Sequence, residues 1–180
     1  MITATDIELL NRNNFRNCLE AISRPGTIYQ IQDFLGSGMM AMATMLLYSE
    51  MSFYQSVTGE WRMIKALTGA GEVKVDTADY LFLESPHTDI LMECKCGDQQ
   101  NPDFSATLIC ACKHFIAGTR VLLSGPGIDG SREITLPATR RFFQKLREKN
   151  RHFPLGVDIF FLTVENQICA LPRTTMVEIV

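Results

Sequence analysis

The sequence predicts an α/β domain of three layers built on a mixed β-sheet. Helix-periodic segments alternate with short apolar strand candidates, which is the pattern of helices packed on the faces of a sheet. Strand candidates then follow one another near the C-terminus without a helix between them, and neighbours joined so directly pair antiparallel. The chain has 180 residues, 46% of them hydrophobic. It carries no repeat and no linker, so residues 1–180 are expected to form one domain with a sizeable core.

Taken in order, the first element is an amphipathic helix that Thr5 or Asp6 can cap, with Ile7, Leu10, Phe15, Cys18, Leu19 and Ile22 on its apolar side. Arg24-Pro25-Gly26 ends it, because proline disfavours helix in the residue before it and glycine supplies a turn. Thr27 to Ile31 alternates weakly as a strand. Gly36-Ser37-Gly38 then opens an Ala-, Met- and Leu-rich run, Met39 to Leu47, that favours a buried helix. A strand from Ser52 to Val57, a helix from Glu60 to Leu67 and a strand from Tyr80 to Leu83 follow. The next helix is expected from Pro86 to Cys94, with proline in its first turn. Gly97 to Asp103 is polar and turn-rich, the clearest internal loop. Strands are expected at Ala106–Cys112, Thr119–Ser124 and Arg132–Thr135. Pro137 then opens a basic amphipathic helix to Lys149, with Phe142, Phe143 and Leu146 on its apolar side and Arg140, Arg141, Lys145, Arg147 and Lys149 on a solvated face. Strands at Val157–Thr163, Ile168–Leu171 and Met176–Val180 close the chain.

Composition narrows the function classes. Seventeen basic residues face twenty acidic ones, a formal charge of −3, so no overall field draws nucleic acid or an anionic membrane. The longest apolar stretch, Met39 to Tyr48, is too short to span a bilayer, and the N-terminus from Met1 to Asp6 shows no leader pattern. The expectation is a cytoplasmic protein. Cys94-Lys95-Cys96 and Cys110-Ala111-Cys112 could together supply four thiolates to a metal, but the spacing is tighter than that of usual zinc pairs. Cysteines in so apolar a segment also pack as small hydrophobes, and that reading is preferred to a thiolate metal-binding module. His87, His114 and His152 are scattered, with no nucleophile motif or metal spacing around them, so no catalytic residue and no cofactor is assigned.

Three segments remain. Ser124-Gly125-Pro126-Gly127-Ile128 is a tight turn after an apolar strand; Gly125 and Gly127 could let backbone amides approach an anion, or could simply turn the chain. Asp158 sits at the mouth of an apolar strand behind Phe153-Pro154-Leu155-Gly156-Val157, where a carboxylate needs a partner. Arg173, in Leu171-Pro172-Arg173-Thr174-Thr175, offers a fork of donors beside two hydroxyls. Arg173, Thr174 and Asp158 therefore make either an anion site or a clamp between neighbouring strands.

These segments, together with Phe15-Arg16, Pro25-Gly26 and Ala106-Thr107-Leu108, occur in the order found in the PhnH family of carbon–phosphorus lyase subunits, and the chain resembles that family over most of its length. Ser105 stands where the family usually carries glycine, and the two Cys-x-Cys pairs are particular to this chain. The resemblance implies a fold similar to pyridoxal-phosphate-dependent transferases without the cofactor or its lysine. It also implies a homodimer, and assembly with core subunits G, I and J in phosphonate breakdown. That complex joins an alkylphosphonate to the ribose of ATP with release of adenine, and the role implied here is accessory. The methionines and aromatics of Met39 to Phe53 could furnish the apolar patch of a dimer, and core packing explains the same residues equally well.

Overall fold

The computed structural model describes residues 4–180. Met1 to Thr3, part of the stretch read as leaderless, lie outside the described residues. Helix α1 (Ala4–Ser23) includes Thr5 and Asp6 in its first turn, so neither is its cap. It is followed by β1 (Tyr29–Gln30), α2 (Gly38–Leu46), β2 (Ser52–Gln55), α3 (Trp61–Thr68), β3 (Gly71–Glu72), β4 (Tyr80–Leu83) and α4 (Thr88–Glu93). The second half contains β5 (Thr107–Cys112), β6 (Thr119–Ser124), β7 (Arg132–Leu136), α5 (Arg140–Lys149), β8 (Asp158–Thr163), β9 (Gln167–Leu171) and β10 (Met176–Ile179). Both prolines expected inside helices stand before them. The α4 cap position is His87, and α5 starts behind Thr139, whose hydroxyl accepts from Phe142 N at 3.2 Å. A hydroxyl that satisfies a free amide defines a helix start better than a proline that merely tolerates one.

Seven strands form the main sheet in the order β1-β9-β8-β5-β4-β2-β3. β3, β2, β4, β5 and β8 run parallel, β9 is antiparallel to β8, and β1 is antiparallel to β9. The sheet is therefore mixed, as the sequence predicts. β10 does not extend it, however: it joins β6 and β7 in a separate antiparallel sheet of order β10-β6-β7. Pro172 has no N–H for a ladder, and Thr175 N–H turns back onto Pro172 O at 2.9 Å, so the chain leaves the main sheet there.

The central strands are apolar on both faces, which is why they read as continuous runs. Leu81, Leu83, Leu108, Cys110, Ile159 and Phe161 face a core closed by Leu91 of α4, Phe142, Phe143 and Leu146 of α5, and Val121, Leu123 and Val177 of the small sheet. The residues between them, Phe82, Ile109, Phe160 and Leu162, face a second core under α1, α2 and α3. There Phe53 stacks on Trp61 at 5.3 Å, with Phe82 against Trp61 at 5.2 Å. Met39 to Ala43, Leu47 and Phe53 are all buried in that second core, so they do not form a surface patch for a dimer. In α1, Cys18 is buried, whereas Phe15 and Leu19, expected on the apolar side, are about half exposed. Ile7, Leu10 and Ile22 do pack on the second core with Cys18 and Ala21, and a row of asparagines adds polar anchors. Asn14, itself buried, exchanges hydrogen bonds with Gln32 at 2.8 and 2.9 Å, and Asn17 donates to Gln30 O at 2.8 Å. Among the described residues no helix is long and apolar enough to cross a membrane.

Candidate functional site

The parallel strands share one amino-terminal edge: Phe53 stands opposite Tyr80, Tyr80 opposite Thr107, and Thr107 opposite Asp158. β9 runs the other way, so its end delivers Arg173 to that same edge beside Asp158. The sequence-predicted pair does meet. Arg173 donates through Nη2 to Asp158 Oδ2 at 2.6 Å and through Nε to Oδ1 at 3.3 Å, while its backbone N–H donates to Oδ1 at 2.8 Å. The rest of the guanidinium is used as well. Nη1 donates to Pro102 O at 2.9 Å and Pro154 O at 3.3 Å, and Nη2 reaches the Ser105 hydroxyl. Both side chains are largely covered, at 15% and 22% exposure. Ser105 thus meets the arginine directly. Phe153-Pro154 is a cis peptide bond.

A second carboxylate is held along the same edge. Asp79, just before β4, accepts from Ser52 N at 2.7 Å and Ser52 Oγ at 2.6 Å, and Lys95 pairs with its other oxygen. Burial works against the charged form, but the donors of Lys95 and Ser52 outweigh it and hold the carboxyl below its ordinary value. In open α/β sheets ligands bind beyond the carboxyl ends of the strands. The Arg173–Asp158 and Lys95–Asp79 pairs stand at the opposite edge.

The Gly-Pro-Gly turn packs against chain. Ile128 N–H donates to Gly125 O at 3.2 Å, closing a turn with proline in its second position and Gly127, at φ 81°, in its third, the type II pattern. A Cβ on Gly127 would come within 1.9 Å of Ser23 O at the end of α1, and one on Gly125 within 2.9 Å of Thr174 O. Both glycines admit another stretch of main chain.

Between this turn, the end of α5 and the segment after Arg173 lies a cavity of about 550 Å³. Pro126, Leu146, Phe153 and Val177 give it apolar walls, Arg147 and Arg151 stand at its side, and Arg173 and Thr174 reach it from the clamp. Thr175 lines it too, and the buried Thr175 Oγ1 has no hydrogen-bond partner among the described residues. Of the residues read from the sequence, Arg173 and Thr174 border this cavity and Asp158 is paired away from it. Gly125 and Gly127 contribute only through the proline between them. Thr175 is one of the two hydroxyls that the sequence places beside Arg173, whereas Arg147 and Arg151 carry no site signal there. Arg147 is read there as part of a solvated helix face, and Arg151 lies just beyond the helix end.

The cysteines do not assemble. Burial pushes the thiols of Cys18, Cys112 and Cys169 up to about 12 and raises those of Cys94 and Cys110 as well. Thiols buried in this way are poor nucleophiles. Among the described residues no group of three His, Cys, Asp or Glu side chains converges on a point. His87, His114 and His152 are exposed, on separate segments.

Comparison with known proteins bears on the same stretch of chain. The chain is 26% identical over 168 residues to a putative C-P lyase subunit protein HtxG of Stutzerimonas stutzeri, covering 92% of this chain and 84% of that one. It is 25% identical over 177 residues to the alpha-D-ribose 1-methylphosphonate 5-triphosphate synthase subunit PhnH of Rhizobium meliloti strain 1021, covering 91% and 88%. The sequence profile described as "Bacterial phosphonate metabolism protein (PhnH)" matches residues 6–178. With the glycine turn, the Asp158 strand and the Arg173 segment all inside that span, the chain belongs to the PhnH family of bacterial phosphonate metabolism proteins.

Proposed function

We propose that the chain is an accessory, non-catalytic subunit of the carbon–phosphorus lyase core complex. In this reading it acts in the cytoplasm as a homodimer beside subunits G, I and J. It supports the transfer of an alkylphosphonate to the ribose of ATP with release of adenine. Its layered sheet would be a cofactor-free relative of the pyridoxal-phosphate-dependent transferases. The observation that carries the non-catalytic part is the state of Arg173, the strongest anion-binding candidate in the sequence. Its guanidinium is committed to Asp158, Ser105 and two backbone carbonyls. Arg173 and Asp158 are then a clamp joining β8, β9 and the loop before β5, with Gly125 and Gly127 packing the same corner. Among the described residues, the one hydroxyl held by a carboxylate at this edge, Ser52 on Asp79, shares that carboxylate with Lys95, and burial raises the thiols of Cys110 and Cys112.

Co-expression with subunits G, I and J tests the assembly. An affinity tag on this chain is expected to retain the other subunits. Methylphosphonate turnover should require the chain, while the isolated chain turns over nothing. Retention of no partner removes the subunit reading, and turnover by the chain alone removes the accessory one.

A further inference from the structure

The cavity beside α5 combines features that the clamp does not account for. We propose that it is a binding site for an organic anion: a phosphoryl or phosphonyl dianion carried on an apolar, preferably aromatic, body. The first support is charge. Arg147 and Arg151 both line the cavity, both are exposed, and neither forms an ion pair or side-chain hydrogen bond within the described chain. The acid nearest them in sequence, Glu148, is taken by Lys145 at 2.6 Å. Arg147 is in the last turn of α5 and Arg151 in the turn that follows, and like charges on one cavity wall repel, so an anion between them relieves a cost that the fold otherwise carries. Two guanidinium forks also match the oxygens of a tetrahedral dianion better than a point charge does.

The second support is independent of charge. Thr175 is 7% exposed, lines the cavity, and leaves its hydroxyl without a partner. Buried polar atoms are nearly always satisfied, so an orphan hydroxyl on a cavity wall points to a ligand atom that completes it. The third is shape. About 550 Å³ lies within the range of small-molecule sites. Leu146 and Val177, both buried, with Pro126 and the 65% exposed Phe153, supply an apolar wall that suits a ring more than an inorganic ion. Two features oppose the anion. Glu178 also lines the cavity, and the carboxyl end of α5 contributes roughly half a negative charge. The two arginines exceed these together, and Arg173 does not enter the balance because Asp158 neutralises it.

This site is not needed for the subunit reading above, nor that reading for it, since binding is measured on the isolated chain. Calorimetry with phenylphosphonate, phenyl phosphate, inorganic phosphate and benzyl alcohol separates head group from body. The two phenyl dianions are expected to bind one per chain, about tenfold or more tighter than inorganic phosphate or benzyl alcohol. A preference between them identifies the ester or the phosphonate as the natural head group. Arg147→Gln with Arg151→Gln should weaken them by about tenfold or more. Thr175→Val should weaken them severalfold while the melting temperature holds or rises, because the isostere removes an unsatisfied buried group. A purely structural Thr175 would leave the affinity unchanged. Absence of saturable binding by either phenyl dianion, equal affinity for inorganic phosphate, or an unchanged affinity in the double arginine variant each overturns the proposal.

Discussion

Arg173 and Asp158 illustrate how a charge at a strand mouth is stabilised. The carboxylate cannot be left alone at that depth, and the arginine meets it with a fork while its remaining donors reach Pro102 O, Pro154 O and Ser105. Truncation by Arg173→Ala strands a largely covered carboxylate and three acceptors. It should cost roughly 2–4 kcal/mol, read as a lower urea midpoint at unchanged slope. Arg173→Lys keeps the charge but cannot serve four acceptors in one plane, and should recover only part of the loss. A midpoint that does not move in Arg173→Ala would remove the clamp. The pairing itself was legible in the sequence, because an acid at the entrance of an apolar strand demands a partner and a Pro-Arg-Thr-Thr segment offers one. The contribution of Ser105 was not, since it depends on where a loop comes to rest.

Among the elements, α2 begins from a turn that is under strain. Phe34 and Ser37 exchange backbone hydrogen bonds at 3.1 Å around Leu35-Gly36, and both central residues have positive φ, 53° for Leu35 and 70° for Gly36. That two-residue turn favours asparagine followed by glycine; a leucine there bears the steric cost of the left-handed region. Leu35 is 39% exposed, so little packing compensates. Leu35→Asn is expected to stabilise by about 0.5–1 kcal/mol, which raises the melting temperature by roughly 1–4 °C. A variant that melts no higher than the parent refutes the strain account. This turn also shows what periodicity could not supply. The Gly36-Ser37-Gly38 punctuation located the helix start correctly, and Ser37 caps it by accepting from Met40 N at 3.4 Å. By contrast, β3 has two exposed residues and no apolar signal at all, and becomes a strand only because β2 lies beside it. The partition of β6, β7 and β10 into their own sheet was hidden for a related reason, because strand type is local and strand partner is not.

At the scale of the whole molecule, the central strands couple two cores that would otherwise be separate. β4, β5 and β8 send alternate side chains to opposite faces, so neither core can loosen without exposing the back of the sheet that supports the other. The chain is therefore expected to unfold as one cooperative unit. Trp61 is the only tryptophan and lies in the core beneath α1, α2 and α3, which makes its fluorescence a reporter of that face alone. Met42→Ala, in the same core, and Leu91→Ala, in the core of the opposite face, both truncate fully buried side chains and should each cost about 2–5 kcal/mol. Met42→Ala must lower the Trp61 midpoint under either architecture. Leu91→Ala discriminates: a cooperative molecule moves the Trp61 transition by a comparable amount, although Leu91 belongs to the other core. Two independently melting layers would leave that transition in place and show the loss only in probes of α4 and α5. Coincidence of the Trp61 signal with helical circular dichroism in both variants is the expected result, because the sheet between the cores belongs to both.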